Sequence, residues 1–214
     1  DEAIAADVAD LFNGLTGYSR KNEYRKLLVA PRGLREEILK RIEREIRAHR
    51  ASGGGHIVFK VNSLVDKACI QALYRASTAG VRVELQIRGI CCLRPGVPGI
   101  SENITVTSIV GRFLEHPRVF YFRNGGDEEL FAGSADLMPR NLDGRVEVVF
   151  PIQDPAIRRA VRDDILFTHL RDSANARRLL DDGRFERVVP TDGDEPLDTQ
   201  QRMLDHHAVW RTEP

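Results

Sequence analysis

Apolar residues recur at helical spacing in two early segments of the chain. They predict an amphipathic helix over residues 3–15, whose apolar positions are Ile4, Val8, Leu11 and Phe12. A second, highly charged helix has one apolar face, formed by Leu34, Ile38, Leu39, Ile42 and Ile46. The glycines at 53–55 end this helix. Between the two helices, Lys26–Ala30 is predicted as a short strand, which Pro31 ends.

The next part of the chain alternates between β-rich runs and a helical pattern. His56–Val61 and Val81–Ile87 are each predicted as a strand. The helix between them is predicted to be capped by Ser63 and to end at Gly80, with apolar positions Val65, Cys69, Leu73 and Ala76. A strand, a helix and a second strand in this order predict a parallel pair with a right-handed crossover.

The remaining patterns complete an α/β domain. Strands are predicted at Val119–Phe122, Glu129–Ala132 and Arg145–Phe150, the first two joined by a turn at residues 124–127. Helices are predicted at Ser108–Glu115, Pro155–Leu170, Ala174–Leu180 and Leu197–Trp210, with an acidic linker running to Glu195. We expect much of this tail to be loosely held. Together the elements predict one mixed β-sheet flanked by helices on both faces.

Composition narrows the class of protein. The 214 residues contain 42% hydrophobic and 30% charged residues, which is typical of a globular protein. Lys and Arg balance Asp and Glu at 32 each, which argues against a non-specific nucleic-acid-binding surface. No apolar run approaches the roughly 20 residues of a membrane span, and no signal peptide is recognisable. Three cysteines argue against a disulfide framework, so we expect a reducing cytoplasm.

Polar residues cluster at the ends of the predicted strands. Arg88 and Asn62 each follow a strand, and ligands of α/β sheets gather beyond the carboxyl ends of strands. A planar guanidinium suits phosphate because it donates two parallel hydrogen bonds. His116 and the turn at residues 133–136 add an imidazole, a hydroxyl and a carboxylate. The segment therefore indicates a phosphate site, although Arg88 could instead pair with a carboxylate and His116 could be a surface histidine.

Several long runs resemble one family, the long bacterial polyphosphate kinases that phosphorylate themselves on histidine. The similar runs are residues 60–66, 88–99, 101–104, 108–116 and 133–136, within a likeness that spans roughly Ala5 to Val188. The resemblance implies a phospholipase D-like fold and a fragment that lacks the upstream domains. It implies that residues 1–20 end a preceding domain, 21–190 form the C-terminal catalytic domain and 191–214 are an acidic tail.

The same resemblance implies a mechanism and its participants. In the family, a phosphohistidine on an upstream domain passes the γ-phosphate of ATP reversibly to the end of inorganic polyphosphate. Arg88 and His116 match the arginine and histidine of the last domain that contact ATP, so the upstream histidine is the expected nucleophile. Mg²⁺ is expected to enter with ATP and to be bound upstream, and the isolated fragment is expected to be inactive. A homo-oligomeric, cytoplasmic enzyme, peripherally attached to membranes in some relatives, is also implied.

A second pattern resembles the phospholipase D signature in altered form. That superfamily surrounds a phosphoryl group with a His, a Lys two residues later and a downstream Gly-Ser-x-Asn turn. Here Arg118 stands in place of the Lys and Asp136 in place of the Asn. We hypothesise that Asp136 orients His116 and favours its protonated form. Other residues are expected only to support the site, namely Ser134, Arg118, Arg140, Asn141, Lys60 and Asn62.

Two other functions stay open at this point. One is a phospholipase D-type phosphodiesterase that works as a homodimer and pairs two copies of His116. The other is a non-catalytic module that binds polyphosphate. Neither alternative accounts for the similarity of residues 88–99 and 108–116 to the polyphosphate kinases.

Overall fold

The computed structural model describes residues 1–18, 23–190 and 193–209, with side chains as far as residue 206. In this part of the chain, nine strands form one mixed sheet in the order β1-β7-β6-β5-β2-β3-β4-β8-β9. Their bounds are β1 Leu28–Ala30, β2 His56–Val61, β3 Arg82–Ile87, β4 Ile104–Ile109, β5 Val119–Phe122, β6 Glu129–Gly133, β7 Glu147–Pro151, β8 Ala176–Leu179 and β9 Phe185–Arg187. The predicted α/β class with a mixed sheet is confirmed.

One helix precedes the strands, and the others lie between and after them. They are α1 Glu2–Leu15, α2 Leu34–Ser52, α3 Lys67–Thr78, α4 Pro155–Ala160, α5 Thr168–Leu170 and α6 Thr199–Val209, with π-helical turns at Val161–Phe167 linking α4 to α5. The prediction of Ser63 as the cap of α3 was wrong. Asp66 caps this helix instead, because its carboxylate accepts a hydrogen bond from the amide of Cys69 at 3.0 Å.

Each face of the sheet has its own hydrophobic cluster. On one face, apolar residues of α2 and α3 pack against the sheet, and Phe59, Phe120 and Phe122 are fully buried there. On the other face, Val58 and Tyr121 pack with Leu166 and the helical segment around it. Helices therefore cover both faces, as predicted, and the core occupies the two layers between helices and sheet.

Two predicted helices are strands or loop in the structure. Ser108 ends up in β4, and residues 110–118 form a loop rather than the helix predicted over Ser108–Glu115. The predicted helix Ala174–Leu180 contains β8, which pairs antiparallel with β4, for example Ala176 with Ile109. Apolar residues three apart fit a helix locally, but the edge of β4 offers backbone hydrogen bonds that decide the outcome. The strands β4 and β9 were not predicted.

The topology gathers several loops at one edge of the sheet. Strands β2, β3 and β4 are parallel, so their carboxyl ends meet there. Strands β5 and β8 are antiparallel to their neighbours, so they start at the same edge, where Val119 lies opposite Lys60 and Ala176 opposite Ile109. Strand β6 ends there, since Ala132 pairs with Val119. We call this edge, with the loops that follow β2, β3, β4 and β6 and precede β5 and β8, the site edge.

The tail is held more firmly at its start than predicted. Thr199 is fully buried and Gln200 is 6% exposed, and both belong to the first turn of α6. Their side chains bond to residues of the site edge, as described below. The prediction of a loosely held tail was therefore wrong for this turn, while Trp210 lies outside the described residues.

No helix in the ranges that the structure describes combines the length and the apolar character needed to cross a membrane.

Candidate functional site

Arg88 follows β3 at the site edge. The adjacent backbone is fixed, because the amide of Gly89 donates to the carbonyl of Asn62 at 2.7 Å. The Arg88 side chain is partly exposed, yet its Nε is buried and has no hydrogen-bond partner. No ion pair joins Arg88 to any carboxylate within residues 1–18, 23–190 and 193–206. A guanidinium that is partly desolvated and unpaired is suited to receive an anion.

His116 lies exposed in the loop that precedes β5. Its Nε2 is 2.8 Å from Nη1 of Arg118, which also donates to the carbonyl of His116 at 3.1 Å. A guanidinium has only donors, so Nε2 faces Arg118 as an acceptor, and Nδ1 is the ring nitrogen that can donate to a ligand.

Among the described residues, the hydrogen bonds of Asp136 go to Arg118 and Asn62 and not to His116, so the proposed orienting role needs correction. The buried carboxylate accepts bonds from Nε and Nη2 of Arg118 at 3.3 and 3.1 Å. It also accepts from the backbone amide and the side-chain amide of Asn62 at 2.7 and 3.1 Å. Asp136 thus orients Arg118, and Arg118 in turn contacts His116. Because the carboxylate is neutralised in this way, it does not confront an incoming phosphate with a free charge.

Ser134 and Asn141 turn away from the histidine toward Glu147 of β7. The hydroxyl of Ser134 donates to Oε2 of Glu147 and accepts from the amide of Val148 at 3.2 Å. The side-chain amide of Asn141 donates to Oε1 of Glu147 at 2.6 Å. These residues fix the turn that carries Asp136. Arg140 is exposed at this turn.

Lys60 lies beneath the histidine loop and does not face solvent. Its Nζ is 2.9 Å from Oε2 of Glu115 and 2.8 Å from Oε1 of Gln86, and the residue is 4% exposed. Burial lowers the pKa of Lys60. Burial alone would raise the pKa of Glu115, but the charge of Lys60 and a hydrogen bond from Gln200 outweigh it and leave that pKa below its ordinary value. Lys60 therefore supports the loop through a buried ion pair.

Sequence reasoning missed Glu115 and Gln200 as parts of the site. Glu115 lies in the run 108–116 and precedes His116, but no motif marks it. Gln200 lies 85 residues further on and donates to Oε1 of Glu115 at 2.8 Å. His169 completes the cluster, with Nε2 3.9 Å from Glu115, and burial lowers its pKa. No signal in the sequence links these positions.

The carboxylates of the site edge do not fit a metal site. Both carboxylate oxygens of Asp136, Glu115 and Glu147 accept hydrogen bonds or ion pairs from side chains or backbone amides of the protein. In the described ranges, no three His, Cys, Asp or Glu residues are grouped so that they could hold a metal ion.

The mixed sheet with helices on both faces defines the class of fold, an α/β domain similar in fold to the phospholipase D family. The crystal structure of a phospholipase D family member, Nuc from Salmonella typhimurium, matches with a TM-score of 0.50, covering 76% of this chain and 97% of that one. At 18% sequence identity, this likeness concerns the fold alone.

The family to which the chain belongs is more specific than this fold class. Residues 27–200 match the family described as polyphosphate kinase C-terminal domain 2, and the chain belongs to that family. Polyphosphate kinase 1 of Chlorobaculum tepidum is 54% identical over 205 residues, which cover 95% of this chain and 29% of the relative. Polyphosphate kinase of Streptomyces coelicolor is 50% identical, with 95% and 27% covered. The resemblance found in the sequence is confirmed.

A solved structure agrees with this assignment. The crystal structure of polyphosphate kinase from Porphyromonas gingivalis matches with a TM-score of 0.92 and 40% identity, covering 98% of this chain and 32% of that one. The chain thus spans less than a third of the length of these relatives.

Proposed function

We propose that this chain is the C-terminal catalytic domain of a polyphosphate kinase, which transfers the γ-phosphate of ATP reversibly to the end of inorganic polyphosphate. Membership of the polyphosphate kinase C-terminal domain 2 family supports this proposal. A phosphohistidine on a segment outside this chain is the intermediate. Mg²⁺ enters with ATP, and the working enzyme is a cytoplasmic homo-oligomer.

Arg88 binds the phosphates of ATP in this proposal. The observation that carries the assignment is the partly buried guanidinium with no carboxylate partner among the described residues, at the end of a parallel strand. Phosphoryl transfer needs alignment and donors that meet the negative charge of the phosphoryl oxygens. A guanidinium that is already partly desolvated supplies two such donors without giving up another bond.

His116 is the second contact to phosphate. Its Nε2 is engaged by Arg118, so Nδ1–H is the group that donates to a phosphate oxygen. Arg118 holds the ring and is itself held by Asp136. The carboxylate, the guanidinium and the imidazole therefore act in series, and only the imidazole meets the substrate.

The test uses the full-length polypeptide with Arg88→Ala or His116→Ala. Loss of one charge-stabilising donor typically lowers kcat about a hundredfold or more. We expect such a loss in both polyphosphate synthesis and ATP formation, with an unchanged melting temperature. Arg75→Ala is the control, since this exposed arginine of α3 pairs with Glu43, away from the site edge, and its loss should leave the rate unchanged. Near-normal rates in either site variant would remove that residue from the mechanism.

A labelling experiment tests the location of the nucleophile. The chain without its upstream segments should incorporate no phosphate from γ-labelled ATP, since the proposed phosphohistidine lies elsewhere. Stable labelling that disappears in His116→Ala would place the nucleophile in this domain and overturn the division of labour.

A further inference from the structure

The loop that carries His116 has no regular secondary structure and depends on side chains to hold it. Between β4 and β5, residues 110–118 lie outside any helix or strand. One side chain of α6, Gln200, makes three hydrogen bonds to this loop. Its Oε1 accepts from the amide of Phe113 at 2.8 Å, and its Nε2 donates to the carbonyl of Phe113 at 2.7 Å and to Oε1 of Glu115 at 2.8 Å.

Gln200 is itself held rigidly. The preceding residue, Thr199, donates to Oδ2 of Asp172 from its hydroxyl at 2.6 Å and from its amide at 3.0 Å. The other carboxylate oxygen of Asp172 accepts from the amides of Asn175 and Ala176 at 2.7 and 2.9 Å, where β8 begins. Asp172 is 1% exposed, so these bonds are shielded from water. The first turn of α6 is thereby fastened to the sheet.

The carboxylate of Glu115 is bound from two sides. Lys60 of β2 forms an ion pair with Oε2, and Gln200 donates a hydrogen bond to Oε1. The residue directly before His116 is therefore held between the sheet and α6. A side chain that must meet a phosphate needs to lie within a fraction of an ångström of its productive position.

We propose that Gln200 is a positioning residue for His116: it fixes the backbone of the loop at Phe113 and the side chain of Glu115, so that the imidazole faces the phosphate site. The inference rests on the proposed function of His116. Gln200 touches no substrate in this role. Through Gln200, the helix α6 contributes to catalysis and is more than part of a tail.

The experiment replaces Gln200 in the full-length enzyme. Because a misplacement of about 1 Å can cost up to a hundredfold in rate, Gln200→Ala should lower kcat by roughly ten- to a hundredfold. The KM for ATP should change little, since Arg88 is untouched. Gln200→Glu keeps the shape but loses both donors and faces Glu115 with a second charge, so its loss should be larger. The control is Gln201→Ala, because this exposed neighbour directs its side chain to Asp205 of the same helix.

A double variant separates positioning from general stability. If Gln200 acts through His116, adding Gln200→Ala to His116→Ala should cause no further loss of kcat. Independent, multiplying losses would show that Gln200 acts elsewhere and would overturn the inference.

Gly111 offers an independent perturbation of the same contact. A Cβ at this position would lie 2.5 Å from Oε1 and 2.9 Å from Cδ of Gln200, so Gly111→Ala must displace the carboxamide. It should lower kcat in the unsubstituted enzyme and have no effect in the Gln200→Ala background. Gly144→Ala is the control, since no heavy atom lies within 4 Å of its Cβ position. The loss caused by Gly111→Ala alone, compared with Gly144→Ala, can be measured even where the Gln200 variants fold poorly.

The two proposals fail in different ways. Full activity of His116→Ala would refute the proposed function of the histidine whatever Gln200 does. Full activity of Gln200→Ala and Gly111→Ala beside an inactive His116→Ala would refute only the positioning role.

Discussion

The buried pair of Lys60 and Glu115 supports the histidine loop, and Lys60→Met tests its strength. Methionine keeps much of the length and apolar character of the lysine side chain but removes the charge. Glu115 is then left 12% exposed with Gln200 as its main remaining hydrogen-bond donor. The free energy of unfolding of this variant therefore measures the cost of leaving the Glu115 carboxylate without its ion-pair partner.

The burial of the pair sets the expected magnitude. Removing one partner of a buried ion pair costs about 3–5 kcal/mol, because the other charge stays desolvated. Since Glu115 keeps the bond from Gln200, we expect the lower end, about 3 kcal/mol. For a domain of this size, the melting temperature should fall by about 6–12 °C.

Urea unfolding at neutral pH, with the m-value checked for constancy, measures this loss. Lys40→Met is the control: its Nζ lies 2.7 Å from Glu37, but the side chain is 71% exposed. Such a surface pair is worth about 1 kcal/mol or less. The combined variant Lys60→Met, Glu115→Gln should regain most of the loss, because no unpaired charge remains. If Lys60→Met is no more destabilising than Lys40→Met, the buried pair does not support the loop as argued.

The pH dependence has a defined sign. Glu115 has a lowered pKa in the folded chain, so its contribution is present above its ordinary pKa and is lost as pH falls through the folded value. Without Lys60, burial should raise the pKa of Glu115 instead. The difference in unfolding free energy between the original chain and Lys60→Met should therefore shrink as pH falls from about 7 to about 4. A difference that grows toward acid would contradict this account.

Further predictions concern the rest of the chain. Asp136→Ala should lower the free energy of unfolding in urea by about 3–5 kcal/mol, because the largely buried guanidinium of Arg118 loses its carboxylate partner. The same variant should nearly abolish turnover of the full-length enzyme. Asp7→Asn should lower the free energy of unfolding by about 1–3 kcal/mol, since the buried carboxylate of Asp7 accepts hydrogen bonds from the backbone amides of residues 25–27. These bonds outweigh burial and lower the pKa of Asp7, so the original chain should lose this stabilisation as the pH falls. Thermal unfolding at a series of pH values measures the loss. A chromogenic phosphodiester should not be cleaved by the chain, and metal-independent hydrolysis followed by absorbance would favour the phosphodiesterase alternative.

Local sequence determined the elements whose pattern is unambiguous. The strands His56–Val61 and Val119–Phe122 were predicted with the bounds that the structure has, because β-branched and aromatic runs end at polar or glycine-containing turns. The face of α2 followed from its periodicity. Once the pair β2 and β3 was recognised as parallel, Asn62 and Arg88 had to lie at the same edge. The similar runs also pointed to the family.

Tertiary structure alone decided which side chains meet at that edge. Asp136 bonds Arg118 and Asn62 rather than His116, and Gln200 bonds a loop 85 residues earlier. Residues 176–179 became a strand because β4 offered a free edge. Secondary structure is encoded in neighbours a few residues apart, whereas hydrogen-bond partners are chosen by the packing of distant segments. The sequence by itself therefore determined the α/β class, the central strands and the family. Only the packed chain decided β4, β8 and β9 and how the imidazole is held.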